Sequence, residues 1–277
     1  MPSIGYLGPP GTFSEEALQA NLADRFSAMV PYPTVPQVLL AVQAGEVDSG
    51  IVPIENSIEG SVNATIDTLT FETDLLIEAE LVHPVSHRLV ARPGVRPEQL
   101  TAIVSHPQAT AQCRRYLNEH FPGVTVIAAN STAEAAQIVS GSDGQDGALA
   151  TEIAAKLYGL DVLERDVEDY EYNMTRFIVA GRTAQPRTGT DKTTLICFIQ
   201  ENRPGSLLEI LTELASRSIN LTKIESRPTK KVLGEYYFFI DIEGHQDDDD
   251  VAAALAALAG ILRELKLLGS YPAVEVP

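Results

Sequence analysis

Two rhythms of apolar and polar residues divide the chain. Up to about residue 160, short apolar runs alternate with segments whose apolar residues recur every three or four positions. Residues 3–8 predict a strand, and GPPGTFSEEALQANLADRF predicts a helix with Leu18, Leu22 and Phe26 on one face. TVPQVLLAVQAGEV predicts a second helix behind a Thr34 cap, followed by the strand SGIVPI. Helical spacing returns at Val62, Ile66 and Leu69. Beyond an extended stretch over 75–91 the alternation resumes: AIVS before HPQATAQCRRYLNEHF, VTVIAAN before STAEAAQIV, and GALAT before EIAAKLYGL. Strands that alternate with helices predict parallel βαβ units with helices on both faces. The stretch over 75–91 fits no such unit and reads as a crossing between two α/β lobes.

Residues 182–191, RTAQPRTGTD, carry no periodicity and read as a linker. Past them KTTLICFIQ reads as a strand, PGSLLEILTELASRS as a helix, and NLTKIESRP and GEYYFFIDIEG as paired strands. A second helix follows with Val251, Leu255, Leu258, Leu262 and Leu265 on one stripe, then a closing strand SYPAVEV. The order βαββαβ is the ferredoxin-like plan. The acidic run over 247–250 sits where that helix begins, so it reads as helix-dipole complement and not as a metal site.

The 277 residues suffice for two domains, or three small lobes, with real cores. A net charge of −18 argues against nucleic acid and anionic membrane as partners, and an anionic ligand would need a locally favourable site. Cys113 and Cys197 cannot form a disulfide framework and read as buried small hydrophobes. No charged-then-apolar leader and no apolar run approaching a membrane span is present, so a cytoplasmic location is expected. The motifs GxxxxGK[ST], GxGxxG, HExxH and GxSxG are missing and the five histidines are scattered, so neither cofactor nor metal is expected.

Three strand-to-helix corners share one chemistry: GPPGTFS, ENSIEGS and SHPQAT. Each combines Gly or Pro with hydroxyls or amides, at a place where helix N-termini point free N–H groups outward. Together they could hold a small polyanion without lysine. Ser14, Thr34 and Ser131 read as ordinary helix caps. Capping explains one polar residue in ENSIEGS, not the group of Asn56, Ser57 and Gly60. His106 precedes Pro107 and so stands at the first turn of a helix. Thr175 and Arg176 stand at the mouth of the apolar strand that begins at Phe177.

The blocks GPPGTFSEEA, VPIENSIEGSVNATIDTL, SHPQATAQC and NMTRF occur here in one order, and together they resemble the signature blocks of the prephenate dehydratase family. ENRPGSLLEIL and IESRP resemble its regulatory ACT domain, and the resemblance covers essentially the whole chain. It implies a catalytic domain over 1–183, two-lobed like a periplasmic binding protein, with crossovers near 75–91 and 163–176 and a cleft between the lobes. A ferredoxin-like ACT domain over 192–277 would follow. It further implies conversion of prephenate to phenylpyruvate with loss of CO2 and the ring hydroxyl. Arogenate dehydratase, or a non-enzymatic amino-acid or organic-anion sensor of the same fold, remain the alternatives.

By resemblance the catalytic residues are Thr175, Arg176 and Phe177. Thr175 would donate a hydrogen bond to the leaving oxygen, Arg176 would hold a carboxylate or anchor the strand, and Phe177 would pack. Gly11, Thr12, Asn56, Ser57, Gly60, Ser105, His106 and Gln108 would bind substrate. L-phenylalanine would be the effector, at Gly205, Ser206, Leu207 and Leu208 with Glu225, Ser226, Arg227 and Pro228. The family's Gly-Ala-Leu-Val reads Gly205-Ser206-Leu207-Leu208 here. Taken alone, Glu225 and Arg227 read as an exposed ion pair. Paired ACT domains would build the pocket, in a homodimer or homotetramer.

Overall fold

The structure, a computed structural model, describes residues 2–274. In chain order the first elements are β1 (Ser3–Leu7), α1 (Phe13–Leu22), β2 (Ala28–Tyr32), α2 (Val35–Ala44), β3 (Ser49–Asn56), β4 (Gly60–Ser61), α3 (Asn63–Phe71) and β5 (Leu76–Pro84). Next come β6 (Arg88–Ala91), β7 (Ala102–Ser105), α4 (Pro107–Gln112), α5 (Arg114–His120), β8 (Thr125–Ala128), α6 (Thr132–Gly141), β9 (Asp146–Ala150), α7 (Glu152–Tyr158), β10 (Asp161–Arg165) and β11 (Met174–Gly181). The last are β12 (Asp191–Ile199), α8 (Ser206–Ala215), β13 (Leu221–Pro228), β14 (Tyr236–Glu243), α9 (Asp249–Ile261) and β15 (Leu262–Pro272).

Three sheets result. The first has the order β2-β1-β3-β11-β5 with β4 paired to β3, the second β10-β6-β9-β7-β8, and the third β13-β14-β12-β15. Two compact units are distinguishable. One collects the chain up to Val38, Ile51–Val62 and Val82–Phe177; the other holds Leu39–Gly50, Asn63–Leu81 and the chain from Ile178 on.

Consecutive residues of the second sheet bury opposite faces. Val90, Val104 and Ala148 pack with Ala135, Val139 and Ala154 from α6 and α7. Leu89, Ile103 and Leu149 pack with Cys113 and Leu117 on the other side. Apolar runs without alternation are what a sheet covered on both faces requires. The sheet is mixed, not wholly parallel as expected: β7 pairs parallel with β8 and β9, but β6 runs antiparallel to both β9 and β10.

Helix ends depart from the periodicity where side chains compete for backbone groups. The first helix stops at Leu22, a 3-10 turn follows, and Phe26 is extended. There the Asn21 amide donates to the Ala17 carbonyl, a local bond that competes with the helical ladder. The helix expected over 106–121 breaks at Cys113, and Asp169 supplies the acceptor for the Arg115 and Tyr116 N–H groups that open α5.

The βαββαβ order holds at the C-terminus, and its antiparallel sheet buries Leu195, Cys197, Phe238 and Ile240 against Ile210 and Leu214 of α8 and Val251 and Leu258 of α9. Leu262 and Leu265 are not helical. They belong to β15, which pairs with β12, and they reach the same core as the helical stripe. The closing strand lies earlier than SYPAVEV, and residues 275–276 of that segment are outside the described ones.

Glu225 and Arg227 are not an exposed pair. Arg227 is 8% exposed and donates to Asp67 through Nε and Nη2, to the Tyr237 hydroxyl, to Glu225 and to Asn63. From β15, Lys266 donates to the carbonyls of Leu69, Thr70 and Thr73. One cation thus holds the start of α3 and another its carboxyl end, where helix carbonyls lack partners. Buried Cys113 and Cys197 are free thiols, and burial pushes the Cys197 thiol up to about 12.

Candidate active site

ENSIEGS is a hairpin, not a direct strand-to-helix corner. Glu55 pairs with Ser61 and Asn56 with Gly60, whose φ of 82° is the left-handed value a tight turn needs. Asn56 Oδ1 accepts from the N–H groups of Ile58 and Glu59, both at 3.0 Å. That orients its amide. Nδ2 then donates to Asn173 Oδ1 at 2.8 Å, to the Met174 carbonyl at 3.2 Å and to Thr175 Oγ1 at 2.9 Å. Ser57 Oγ accepts from the Met174 N–H and donates to the Tyr172 carbonyl, both at 3.0 Å. The small polar residues therefore hold the start of β11.

Thr175 and Phe177, two apart on a strand, both line a cavity of about 330 Å³ in the first unit. Arg176 lies between them and places its guanidinium 3.7 Å from Glu55 instead. Three helices begin at this cavity. Thr12 caps α1 by accepting from the Glu15 N–H, His106 Nδ1 caps α4 by accepting from Gln108, and Ser131 caps α6 by accepting from Glu134. Thr12 is the cap of α1, so Ser14 lies inside the helix. Among the described residues that line it, none is Lys, Arg, Asp or Glu. Hydroxyls, amides and helix N-termini are what the walls offer, and they suit an anion without a formal counter-charge.

His87 and Gln112 also border the cavity. His87 is 2% exposed, and burial lowers its pKa below the usual imidazole value, so the ring is neutral. Its Nε2 lies 3.0 Å from Gln112 Oε1, which also accepts from Asn173 Nδ2 at 3.0 Å.

The chain matches the family model described as prephenate dehydratase over residues 4–185 and that of the ACT domain over residues 193–260. It is 42% identical to the prephenate dehydratase of Mycolicibacterium gilvum (strain PYR-GCK), over 99% of this chain and 92% of that one. The chain belongs to the prephenate dehydratase family. Among solved structures, the prephenate dehydratase of Arthrobacter aurescens in complex with L-Phe superimposes with a TM-score of 0.90 at 41% identity, covering 99% of this chain and 93% of that one. GqqA, described as a novel type of quorum-quenching acylase, superimposes with a TM-score of 0.89 at 33% identity, covering 98% of each chain.

Of the residues expected to bind substrate or act on it, the cavity gathers Thr12, Asn56, His106, Gln108, Thr175 and Phe177. Gly11, Ser57, Gly60, Ser105 and Arg176 lie outside its lining. Gly11 has a φ of 93°, and a Cβ there would meet the Ala154 Cβ at 3.0 Å, so glycine lets the corner approach α7. Ser105 is buried and its hydroxyl donates to the Leu149 carbonyl at 3.0 Å. Sequence reasoning missed His87, Gln112 and Asn173. Gln112 carried one signal, its spacing of four from Gln108 on a helix.

In the ACT region of this family member, Gly205 takes a φ of 97° ahead of α8 and lines a groove with Ser206, Leu207, Leu208 and Phe238. The residues 225–228 do not line it. Ser226 pairs with Phe238, whereas the flanking Glu225 and Arg227 project from the opposite face of β13, as strand alternation requires.

Proposed function

We propose that this chain converts prephenate to phenylpyruvate. The observation that carries the reading is the Asn56–Thr175 hydrogen bond at the cavity wall. Prephenate needs little from a catalyst beyond orientation and help for a departing hydroxide. The bond to the ring carboxylate breaks, CO2 leaves, and the electron pair passes through the ring as the C–O bond breaks. The hydroxide departs, takes a proton from bulk solvent and becomes water, leaving an aromatic ring. Thr175 Oγ1 already accepts from Asn56, so its own proton is free to donate to that leaving oxygen. A threonine hydroxyl is a weak acid, and its part is a hydrogen bond, not full proton transfer.

His106, Gln108 and the starts of α1 and α6 hold the two carboxylates, while the Thr12 hydroxyl is spent on the Leu7 carbonyl at 2.7 Å and caps α1. Arg176, paired toward Glu55, anchors the strand. Arogenate would place an ammonium where no described lining residue is acidic, which favours prephenate.

L-phenylalanine acts as effector at the groove of Gly205, Ser206, Leu207 and Leu208. The L-Phe complex of the Arthrobacter aurescens relative supports this reading. A second copy completes the pocket in a homodimer or homotetramer, and the enzyme works in the cytoplasm. The test is ultraviolet detection of phenylpyruvate after addition of prephenate or arogenate to the full chain, with and without L-phenylalanine. Turnover of prephenate that L-phenylalanine lowers is the expected result. Binding of L-phenylalanine without turnover of either substrate would make the chain a sensor and refute the proposal.

A further inference from the structure

The amides behind Thr175 form a chain whose hydrogen-bond direction is dictated at one end. The hairpin N–H groups of Ile58 and Glu59 take Asn56 Oδ1, so Nδ2 must face Asn173 and Thr175. Asn173 then presents Oδ1 to Asn56 and has only Nδ2 for Gln112. Gln112 in turn presents Oε1, an oxygen that can only accept. His87 Nε2, 3.0 Å from that oxygen, must therefore carry a proton. Among the described residues His87 Nδ1 is buried without a partner, as fits the bare acceptor nitrogen of a neutral ring. His87, Gln112 and Asn173 are at most 5% exposed, so the bonds between them are largely shielded from water.

We propose that His87, Gln112 and Asn173 are positioning residues: the β3–β4 turn decides which way the Asn56 amide faces, and these three fix the angle at which it meets Thr175, whose hydroxyl is left to donate to the substrate. This rests on the reaction proposed above. None of the three need touch the reacting atoms. His87 closes the far end, where its N–H and the edge-on ring of Phe13, centroids 5.3 Å apart, fix it in place. Without that donor Gln112 is free to turn, Asn173 loses its fixed partner, and Asn56 no longer meets Thr175 at a set angle.

The chain can be tested with substrate and without. Nitrogen-15 resonances of the histidine side chains in the full-length protein report the tautomer directly. A neutral His87 protonated at Nε2 is expected, and a proton on Nδ1 instead overturns the relay whatever the protein catalyses. With prephenate, His87→Asn removes a donor at the Nε2 position, and kcat should fall on the order of 10²-fold with KM little changed. His87→Gln places an amide near the Nε2 position and should recover most of that loss. In a Thr175→Ala background, His87→Asn should cost nothing further, because the relay has nothing left to position. If the two losses multiply, or if His87→Asn raises KM at constant kcat, His87 does not act through Thr175 and the inference is wrong. Failure of the unaltered protein to act on prephenate refutes the proposed reaction and leaves the tautomer result to judge the relay.

Discussion

Asn56 gives one amide proton to the hydroxyl oxygen of Thr175, 2.9 Å away, while its own oxygen is held by two N–H groups of the β3–β4 turn. Thr175 thereby accepts on that side, which leaves its own proton to point elsewhere. Asn56→Asp keeps the turn acceptor and replaces the donor by a second acceptor. The Thr175 proton is then drawn toward residue 56, and kcat should drop on the order of 10²-fold. Facing Asn173 Oδ1, the new carboxylate should also cost about 1–3 kcal/mol of stability, read from urea unfolding. Wild-type turnover in this variant would show that the hydroxyl's direction is immaterial.

Ser105 and Gln108 separate framework from wall. The Ser105 hydroxyl is spent on Leu149 inside the second sheet, so Ser105→Ala should lower stability by about 1 kcal/mol and leave KM unchanged. Gln108 is exposed at the cavity, so Gln108→Ala should raise KM with the melting temperature kept. Paired melting curves and steady-state kinetics decide it, and the opposite pattern would exchange the two roles.

Gly11→Ala combines a left-handed backbone with contacts of 3.0 and 3.2 Å to Ala154. A side chain in that conformation costs about 1–2 kcal/mol before any contact is counted. A clear fall in melting temperature is expected, and an unchanged melt would show that the corner relaxes freely.

Much of this was legible in the chain because burial leaves a period. The strands β3, β7 and β9 and the helices α2, α6 and α7 appear as apolar runs and stripes, and the βαββαβ order follows from six such segments. Where two structures satisfy the same spacing, periodicity fails. Leu262 and Leu265 continue the stripe of Val251, Leu255 and Leu258, yet they sit in a strand facing the same core. The hairpin at Asn56 depends on one left-handed glycine and two side-chain bonds, which no stripe records. The amide chain from Asn56 to His87 joins residues 56, 173, 112 and 87 through single buried hydrogen bonds, and such pairings leave no pattern along the sequence.

Acid should loosen the molecule through its paired carboxylates. Hydrogen bonding from Arg165 foremost holds Glu152 down at about 2. Burial alone would raise Asp67, but hydrogen bonds from Lys230 and Arg227 outweigh it and hold it below the usual carboxylate range. Groups with lowered folded pKa values stabilise the fold above their unfolded values and lose that contribution as pH falls through the folded ones. The urea midpoint should therefore decline between about pH 4.5 and about 2. Asp67→Ala, which strands the buried Arg227, should cost about 3–5 kcal/mol at neutral pH, nearer the lower figure because Glu225 remains. A midpoint insensitive to both changes would contradict the clamp on α3.

The role of the Thr175 hydroxyl is tested most directly by kcat on prephenate for Thr175→Ala beside Thr175→Ser. Removal of the hydroxyl should reduce kcat by ~10²–10⁴ with little change in KM. Thr175→Ser retains the donor and should keep far more of the rate. A Thr175→Ala protein within about threefold of the unaltered rate would contradict the account, because the group that Asn56 orients would then contribute nothing to the departure of the hydroxide.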